Sequence, residues 1–89
     1  IISIRIISIG IVNRSIVHPR EVFIEAIKDT AAAIVVAHNH PSGNTEPSEE
    51  DREVTGRLVE AGKVLGINVL DHVVFGKHGY YSFLEKGEL

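Results

Sequence analysis

The sequence predicts an α/β domain in which helices flank a mixed β-sheet. Segments whose apolar residues alternate or run together, as in strands, are separated by two segments whose apolar residues recur at helical spacing. One strand segment, residues 33–37, is apolar throughout, which is typical of a strand in the middle of a sheet. With 89 residues and 44% hydrophobic content, the chain suffices for one globular domain, residues 1–89, and is too short for two.

Residues 1–30 are predicted to form two strands and a helix. Apolar and polar residues alternate loosely over residues 1–17, which indicates two strands joined around residues 10–14. Pro19 suits the first helical position, because proline lacks the N–H that a helix start leaves unpaired. A helix over residues 19–30 would pack one apolar stripe on the sheet. The stripe consists of Val22, Phe23, Ala26 and Ile27.

The next strand, residues 33–37, is expected to be buried on both faces of the sheet. It would place His38 and His40 at its end. The segment 41–43, Pro-Ser-Gly, predicts a sharp exit from the strand, and residues 44–47 read as loop.

A second helix is predicted to begin after Ser48, which is a good N-cap, and to end at Gly66, which suits a left-handed C-cap. Its apolar positions are Val54, Leu58, Ala61 and Leu65. Asp51 precedes Val54 by three residues and shares its face, so we expect the Asp51 carboxylate to point to the sheet. The neighbouring charged residues Glu49, Glu50 and Arg52 should then be mostly in solvent.

The C-terminal part is predicted to form a strand over residues 67–76, a turn at 77–79 and a final edge strand over 80–84. The predicted element order is therefore β-β-α-β-α-β-β, without internal repeats. Helices that alternate with strands are typical of a mixed sheet in an α/β layer arrangement.

Composition narrows the classes of function. The chain has no cysteine, which excludes a disulfide framework and makes the cytoplasm the expected location. Its isoleucine-rich start is interrupted by polar residues, so no membrane segment is predicted. A net charge of −3 and a pI near 5.9 argue against a surface that wraps nucleic acid. The absence of methionine indicates a fragment or a processed chain.

Chemistry is most densely encoded in residues 38–51. His38 and His40 would point to the same side of an extended backbone, with Cα atoms roughly 6.6 Å apart, so one cation can bridge them. The intervening prolines and glycine allow the chain to turn back and bring Asp51 to the same cation. Two imidazoles, one carboxylate and an open fourth position form a catalytic type of Zn²⁺ site, which lowers the pKa of a bound water to about 7.

Each of these residues also has a simpler explanation. A histidine at a strand end is often bonded to backbone, and Ser48 with Asp51 is also the pattern of an ordinary helix start. Asp71 and His72 are adjacent on a strand and so face opposite sides of it. One of them could be a hydrogen-bond partner of a ligand imidazole. The alternative is that the two are an ordinary buried polar pair. His18 and His78 have no companions at ligand spacing and are expected at the surface.

The motif His38 to Gly43, followed by Pro47, Ser48 and Asp51, resembles the RadC family of the JAB/MPN (JAMM) metalloprotease superfamily. The resemblance covers nearly the whole chain, including the segments 18–23, 65–67, 70–72 and 81–83. It implies a cytidine-deaminase-like α/β fold and a peptide or isopeptide substrate. It further implies that Ser48 hydrogen-bonds the oxyanion formed during hydrolysis, and that an upstream helix-hairpin-helix region is missing here.

The chain departs from this family at one catalytic position. JAMM hydrolases use a glutamate on an early strand as general base, and counting back from Glu21 places that position at Arg5. We expect Arg5 to swing outward or the strand register to change, and hydrolysis to be weak or absent. Glu21 and Glu25 are the nearest alternative carboxylates.

Three interpretations follow from the sequence. The leading one is a zinc-dependent amide or isopeptide hydrolase. The alternatives are a catalytically impaired binding or assembly domain and a DNA-repair accessory module. A homodimer is left open.

Overall fold

The computed structural model describes residues 3–9, 18–40 and 45–89. Within these ranges it contains four strands and two helices. In chain order they are β1 (Ile4–Ile9), α1 (Pro19–Lys28), β2 (Ala33–Asn39), α2 (Glu49–Leu65), β3 (Asn68–Gly76) and β4 (Gly79–Ser82). The predicted second strand before α1, and the predicted turn at 41–43, lie outside the described residues. The remaining elements occur in the predicted order.

The four strands form one sheet in the order β1-β2-β3-β4. β1 pairs parallel with β2, and β2 parallel with β3, whereas β4 is antiparallel to β3. The prediction of a mixed sheet is therefore confirmed. Parallel neighbours need a crossover connection, and α1 and α2 lie within the two connections of this sheet.

Both helices contribute to one hydrophobic core on one face of the sheet. Phe23 of α1 and Leu58 of α2 are almost fully buried together with Ile34 and Val36 of β2. The even-numbered residues of β2 thus point toward the helices. His38 continues this series at the carboxyl end of the strand, so the packing of the core decides which way the predicted ligand faces.

The expectation that residues 33–37 are buried on both faces of the sheet is wrong for part of the strand. Val35 and Ala37 are only half-buried, because neither described helix packs on their side of the sheet. On that side, Ile4 and Ile6 of β1 are exposed. No helix in the described ranges is long and apolar enough to cross a membrane.

Helix α2 follows the prediction at both ends. Ser48 is its N-cap, and Gly66 takes the left-handed conformation with φ 75° at its C-cap. Near that end, Gly62 packs against the turn that follows, since a Cβ atom there would lie 2.3 Å from the carbonyl oxygen of Ile67. The position of α2 on the sheet therefore depends on a residue with no side chain.

Several boundaries differ from the sequence prediction. Strand β2 continues to Asn39, β3 begins at Asn68, and β4 begins at Gly79. Helix α1 ends at Lys28 with Asp29 as C-cap, and Thr30 has a positive φ of 51°, so the chain has already left the helix. Strand β4 ends at Ser82 and does not continue to residue 84. The reason is visible in the backbone: Lys86 N–H donates to the Ser82 carbonyl, which closes a turn directly after the strand.

Candidate metal centre

The two predicted histidine ligands lie at the carboxyl end of β2. His38 is in the strand and His40 follows it, so both side chains project from the same side of the sheet. The N–H of His40 donates to the Phe75 carbonyl at 2.8 Å, which continues the pairing with β3 beyond the end of β2. Both imidazoles are partly buried, with 18% and 20% of their side-chain surfaces exposed.

The predicted carboxylate ligand comes from the first turn of α2. Ser48 and Asp51 form a reciprocal capping box: the Asp51 N–H donates to Ser48 Oγ at 3.0 Å, and the Ser48 N–H donates to Asp51 Oδ2 at 2.8 Å. Asp51 is only 6% exposed, whereas Glu49, Glu50 and Arg52 are exposed. The prediction that Asp51 alone turns inward in this turn is confirmed.

The structure brings the three predicted ligands together. His38 Nδ1 lies 3.1 Å from Asp51 Oδ1, and His40 Nε2 lies 3.2 Å from Asp51 Oδ2. One ligand atom from each residue lies within 4.8 Å of the others. Ligands at 2.0 to 2.1 Å from a tetrahedral zinc lie about 3.4 Å from one another. The two histidines face different oxygens of the carboxylate, and the three ligand atoms lie within 4.8 Å of one another, so the donor set fits such an ion after small movements of the side chains toward it.

Electrostatics favours a neutral His38 and an ionised Asp51. Burial lowers the pKa of His38, and the neighbouring His40 adds to this, although the Asp51 carboxylate opposes it. Burial by itself would raise the pKa of Asp51, but the backbone and side-chain hydrogen bonds from Ser48 and the two imidazoles outweigh it, and the pKa is lowered. A neutral His38 beside an ionised Asp51 is the form that ligates a cation.

The side chain of Ser48 has a confirmed structural role. Its Oγ accepts the Asp51 N–H, which satisfies one of the unpaired donors at the start of α2. That bond uses Oγ as an acceptor, and the Ser48 side chain also hydrogen-bonds the Asp51 carboxylate, whose pKa it lowers. The oxyanion role implied by the family resemblance stays a prediction.

Asp71 and His72 face opposite sides of β3, as predicted, and have different partners. The Asp71 carboxylate accepts hydrogen bonds from the Ser82 hydroxyl at 2.6 Å and from the Leu84 N–H at 2.9 Å. Asp71 therefore fastens the turn after β4 and has no part in the metal cluster. The simpler, structural interpretation holds for this residue.

His72 lies on the cluster side of the sheet and is almost completely buried. Its ring stacks on Phe83 with centroids 4.9 Å apart and lies 6.1 Å from the His38 ring. Its Nδ1 is 2.5 Å from the hydroxyl of Thr55, a residue of α2 that the sequence analysis did not single out. The only available signal was the i, i+4 spacing of Asp51 and Thr55, which places both on the inner face of the helix.

Arg5 lies away from the cluster. It pairs with Ile34, whereas the residue opposite His38 is Ile9, four residues further along β1 and roughly 13 Å away. The Arg5 guanidinium forms ion pairs with Asp29 and with Glu25, at the C-terminal end of α1. It is therefore turned toward α1, and the like-charge repulsion expected beside a metal does not arise.

His18 and His78 are exposed, as predicted. His18 is the N-cap residue of α1 without a side-chain cap, and His78 lies in the turn between β3 and β4. Within the described part of the chain, His38, His40 and Asp51 are the one group of three such residues close enough to share a metal ion.

The chain is similar to several known bacterial proteins. The chain is 60% identical over 86 residues to a UPF0758 protein of Alkaliphilus metalliredigens, covering 97% of this chain and 37% of the relative. It is 61% identical over 83 residues to a UPF0758 protein of Rubrobacter xylanophilus, covering 93% and 36%. A UPF0758 protein of Symbiobacterium thermophilum is 56% identical over all 89 residues, or 38% of its own length. The chain thus spans less than two fifths of these relatives.

The family model for the RadC-like JAB domain matches residues 1–88. This match includes both histidines, the capping serine and the aspartate of the cluster. The chain belongs to the RadC-like JAB domain family.

Proposed function

We propose that the chain binds one Zn²⁺ through His38, His40 and Asp51. We propose further that this site is the metal centre of a domain that acts on amide or isopeptide bonds. The observation that carries the proposal is the convergence of three ligand atoms within 4.8 Å at the carboxyl end of β2. The carboxylate reaches this point from a different element, α2, and is held there by the capping box.

The donor set and its surroundings support zinc. Imidazole nitrogen and carboxylate oxygen both suit this ion, and three protein ligands leave a position for water or substrate. When bound, zinc polarises a substrate carbonyl and lowers the pKa of a water at that position. The protein's own contribution is to hold His38 neutral, keep Asp51 ionised and offer the Ser48 hydroxyl to an oxyanion that develops beside the helix start.

The sharpest test of the ligand set compares two neighbouring acids of α2. Asp51→Asn and Glu50→Gln each remove one negative charge from the first turn of the helix, but only Asp51 faces the histidines. Zinc titration should show one site per chain, nearly lost in Asp51→Asn and retained in Glu50→Gln. Zinc content should also fall in His40→Ala. Equal losses in the two acid variants would mean that α2 is rotated from its position in the structure.

We further propose that this chain hydrolyses its substrates weakly or not at all. The family resemblance places Arg5 where a general-base glutamate is expected, and a guanidinium cannot accept a proton. This departure from the family supports a second candidate function, a binding or assembly domain that retains the metal. In the structure Arg5 is engaged by Asp29 and Glu25 at the opposite end of β1 from the cluster, so its own side chain does not reach the metal site.

The general base can be tested with Arg5→Glu and Glu21→Gln. Because the start of β1 contacts the end of α1, the helix runs back along the strand, and Glu21 in its first turn lies toward the cluster end of the sheet. Cleavage of a panel of peptide and isopeptide substrates should be weak in the unmodified chain. Strong cleavage that is lost in Glu21→Gln and unchanged in Arg5→Glu would overturn the proposal and make Glu21 the base.

The two candidate functions differ in measurable outcomes. One zinc per chain with peptide cleavage supports the hydrolase, and one zinc without turnover supports the binding or assembly domain. A salt-sensitive affinity for branched or single-stranded DNA would instead indicate a DNA-repair accessory role, against which the net charge of −3 argues.

A further inference from the structure

His72 occupies a buried position between the metal cluster and the helix that supplies Asp51. In the sheet it pairs with Val36 of β2, and on its other side the Phe83 N–H donates to the His72 carbonyl. Its ring lies between the rings of Phe83 and His38. His72 therefore packs behind one predicted ligand, from a strand that supplies no ligand itself.

The hydrogen bonds around Thr55 determine the tautomer of His72. The Thr55 hydroxyl lies 2.8 Å from the Asp51 carbonyl, which can only accept, so its single hydrogen is donated there. The same oxygen lies 2.5 Å from His72 Nδ1 and must accept from it. His72 thus carries its hydrogen on Nδ1, and a continuous chain of bonds joins β3 to the backbone of Asp51.

The second ring nitrogen of His72 argues against a role that is limited to filling the core. Nε2 is buried and has no hydrogen-bond partner among the described residues. A buried acceptor without a partner destabilises a fold, and a phenyl ring of similar shape would avoid that loss. What a phenyl ring lacks is the Nδ1–H that reaches Thr55. Burial lowers the pKa of His72 to about 4, so at neutral pH Nε2 carries no hydrogen and Nδ1 carries the only one.

We infer that His72 is a positioning residue for the metal centre. Through Thr55 it holds the first turn of α2, and with it Asp51, at a set distance from β2, and its ring limits the movement of His38. The inference rests on the proposed metal site and adds two residues to it, His72 and Thr55, neither of which ligates the ion.

His72→Phe and Thr55→Val are nearly isosteric and each remove one end of the bond. Both variants should still bind one Zn²⁺, but with Kd raised about tenfold or more, as for other changes next to metal ligands. In the Co²⁺-loaded chain, the d–d absorption band should shift in both variants, because it reports the ligand geometry. The double variant should bind Zn²⁺ no more weakly than the single variant with the lower affinity, because both changes break the same series of hydrogen bonds.

Stability separates positioning from core packing. The denaturation midpoint of metal-free His72→Phe at neutral pH should equal or exceed that of the unmodified chain, although its zinc affinity is lower. Gly62→Ala is the matched control, because it disturbs α2 at its other end and should lower the midpoint without changing Kd or the cobalt spectrum.

The outcomes are distinct. If the unmodified chain does not bind Zn²⁺, the metal site itself is refuted. If it binds and His72→Phe shows the same Kd and cobalt spectrum, the metal site stands and the positioning role is overturned. A lower midpoint for His72→Phe with unchanged affinity would also reduce His72 to core packing.

Discussion

The buried His72 makes the stability of the metal-free chain depend on pH in a way that one substitution removes. Burial lowers its pKa from 6.5 to about 4, with His38 and His40 acting in the same direction and Asp51 and Asp71 opposing. Between these two values the unfolded chain binds more protons than the folded chain. Stability therefore rises with pH through this window and is lost as the pH falls from 6.5 toward 4.

The size of the effect follows from the two pKa values. At pH 5 the unfolded histidine is largely protonated and the folded one is largely neutral, which lowers the free energy of unfolding by about 2 kcal/mol relative to pH 7.5. The assay is urea denaturation in the presence of a chelator at pH 7.5 and at pH 5.0, for the unmodified chain and for His72→Phe. Because every other titrating group is common to both proteins, the difference between the two pH dependences isolates His72.

The unmodified chain should lose about 2 kcal/mol more than His72→Phe between the two pH values. Parallel losses would refute the reasoning, since they would mean that His72 is hydrated or already charged in the folded chain. The dependence of the free energy of unfolding on urea concentration must agree between the two proteins, so that the comparison concerns the same unfolding reaction.

Three further predictions concern the fold. Gly62→Ala should lower the free energy of unfolding by about 1 to 3 kcal/mol, because its Cβ would lie 2.3 Å from the Ile67 carbonyl oxygen; an unchanged urea midpoint would contradict this contact. Ser48→Ala should lower it by about 1 kcal/mol through loss of the cap, and a neutral result would argue against the capping box with Asp51. Asp71→Ala should raise amide hydrogen exchange in residues 83–87 selectively, since the carboxylate holds that turn; uniform exchange would contradict its local role.

The candidate site was largely predictable because its residues obey local rules. The spacing of His38 and His40 sets their common direction in a strand, and the apolar positions of α2 set the direction of Asp51. Ser48 and Gly66 mark the ends of that helix through the chemistry of caps, which requires nothing from the rest of the chain.

The features that sequence did not reveal depend on how elements lie against one another. The contact of Thr55 with His72 requires the register of α2 on β3, and no local pattern encodes it. Arg5 is turned toward α1 because Glu25 and Asp29, at the end of that helix, lie beside it. The direction in which α1 runs along β1 is a property of the tertiary structure. The early end of β4 likewise reflects bonds to Asp71, eleven residues before Ser82.

Asp51 joins the fold and the candidate function in a single carboxylate. Its Oδ2 accepts the Ser48 N–H and faces His40, while its Oδ1 faces His38. The capping bonds join two residues of the chain. The start of α2, and with it the position of Asp51, therefore does not depend on a bound metal. Small domains whose structural zinc supplies the folding energy are unfolded without it, because no preformed site exists. Here the helix cap sets the direction of the Asp51 carboxylate, and Thr55, which bonds both the Asp51 carbonyl and His72 of β3, ties the same turn to the sheet.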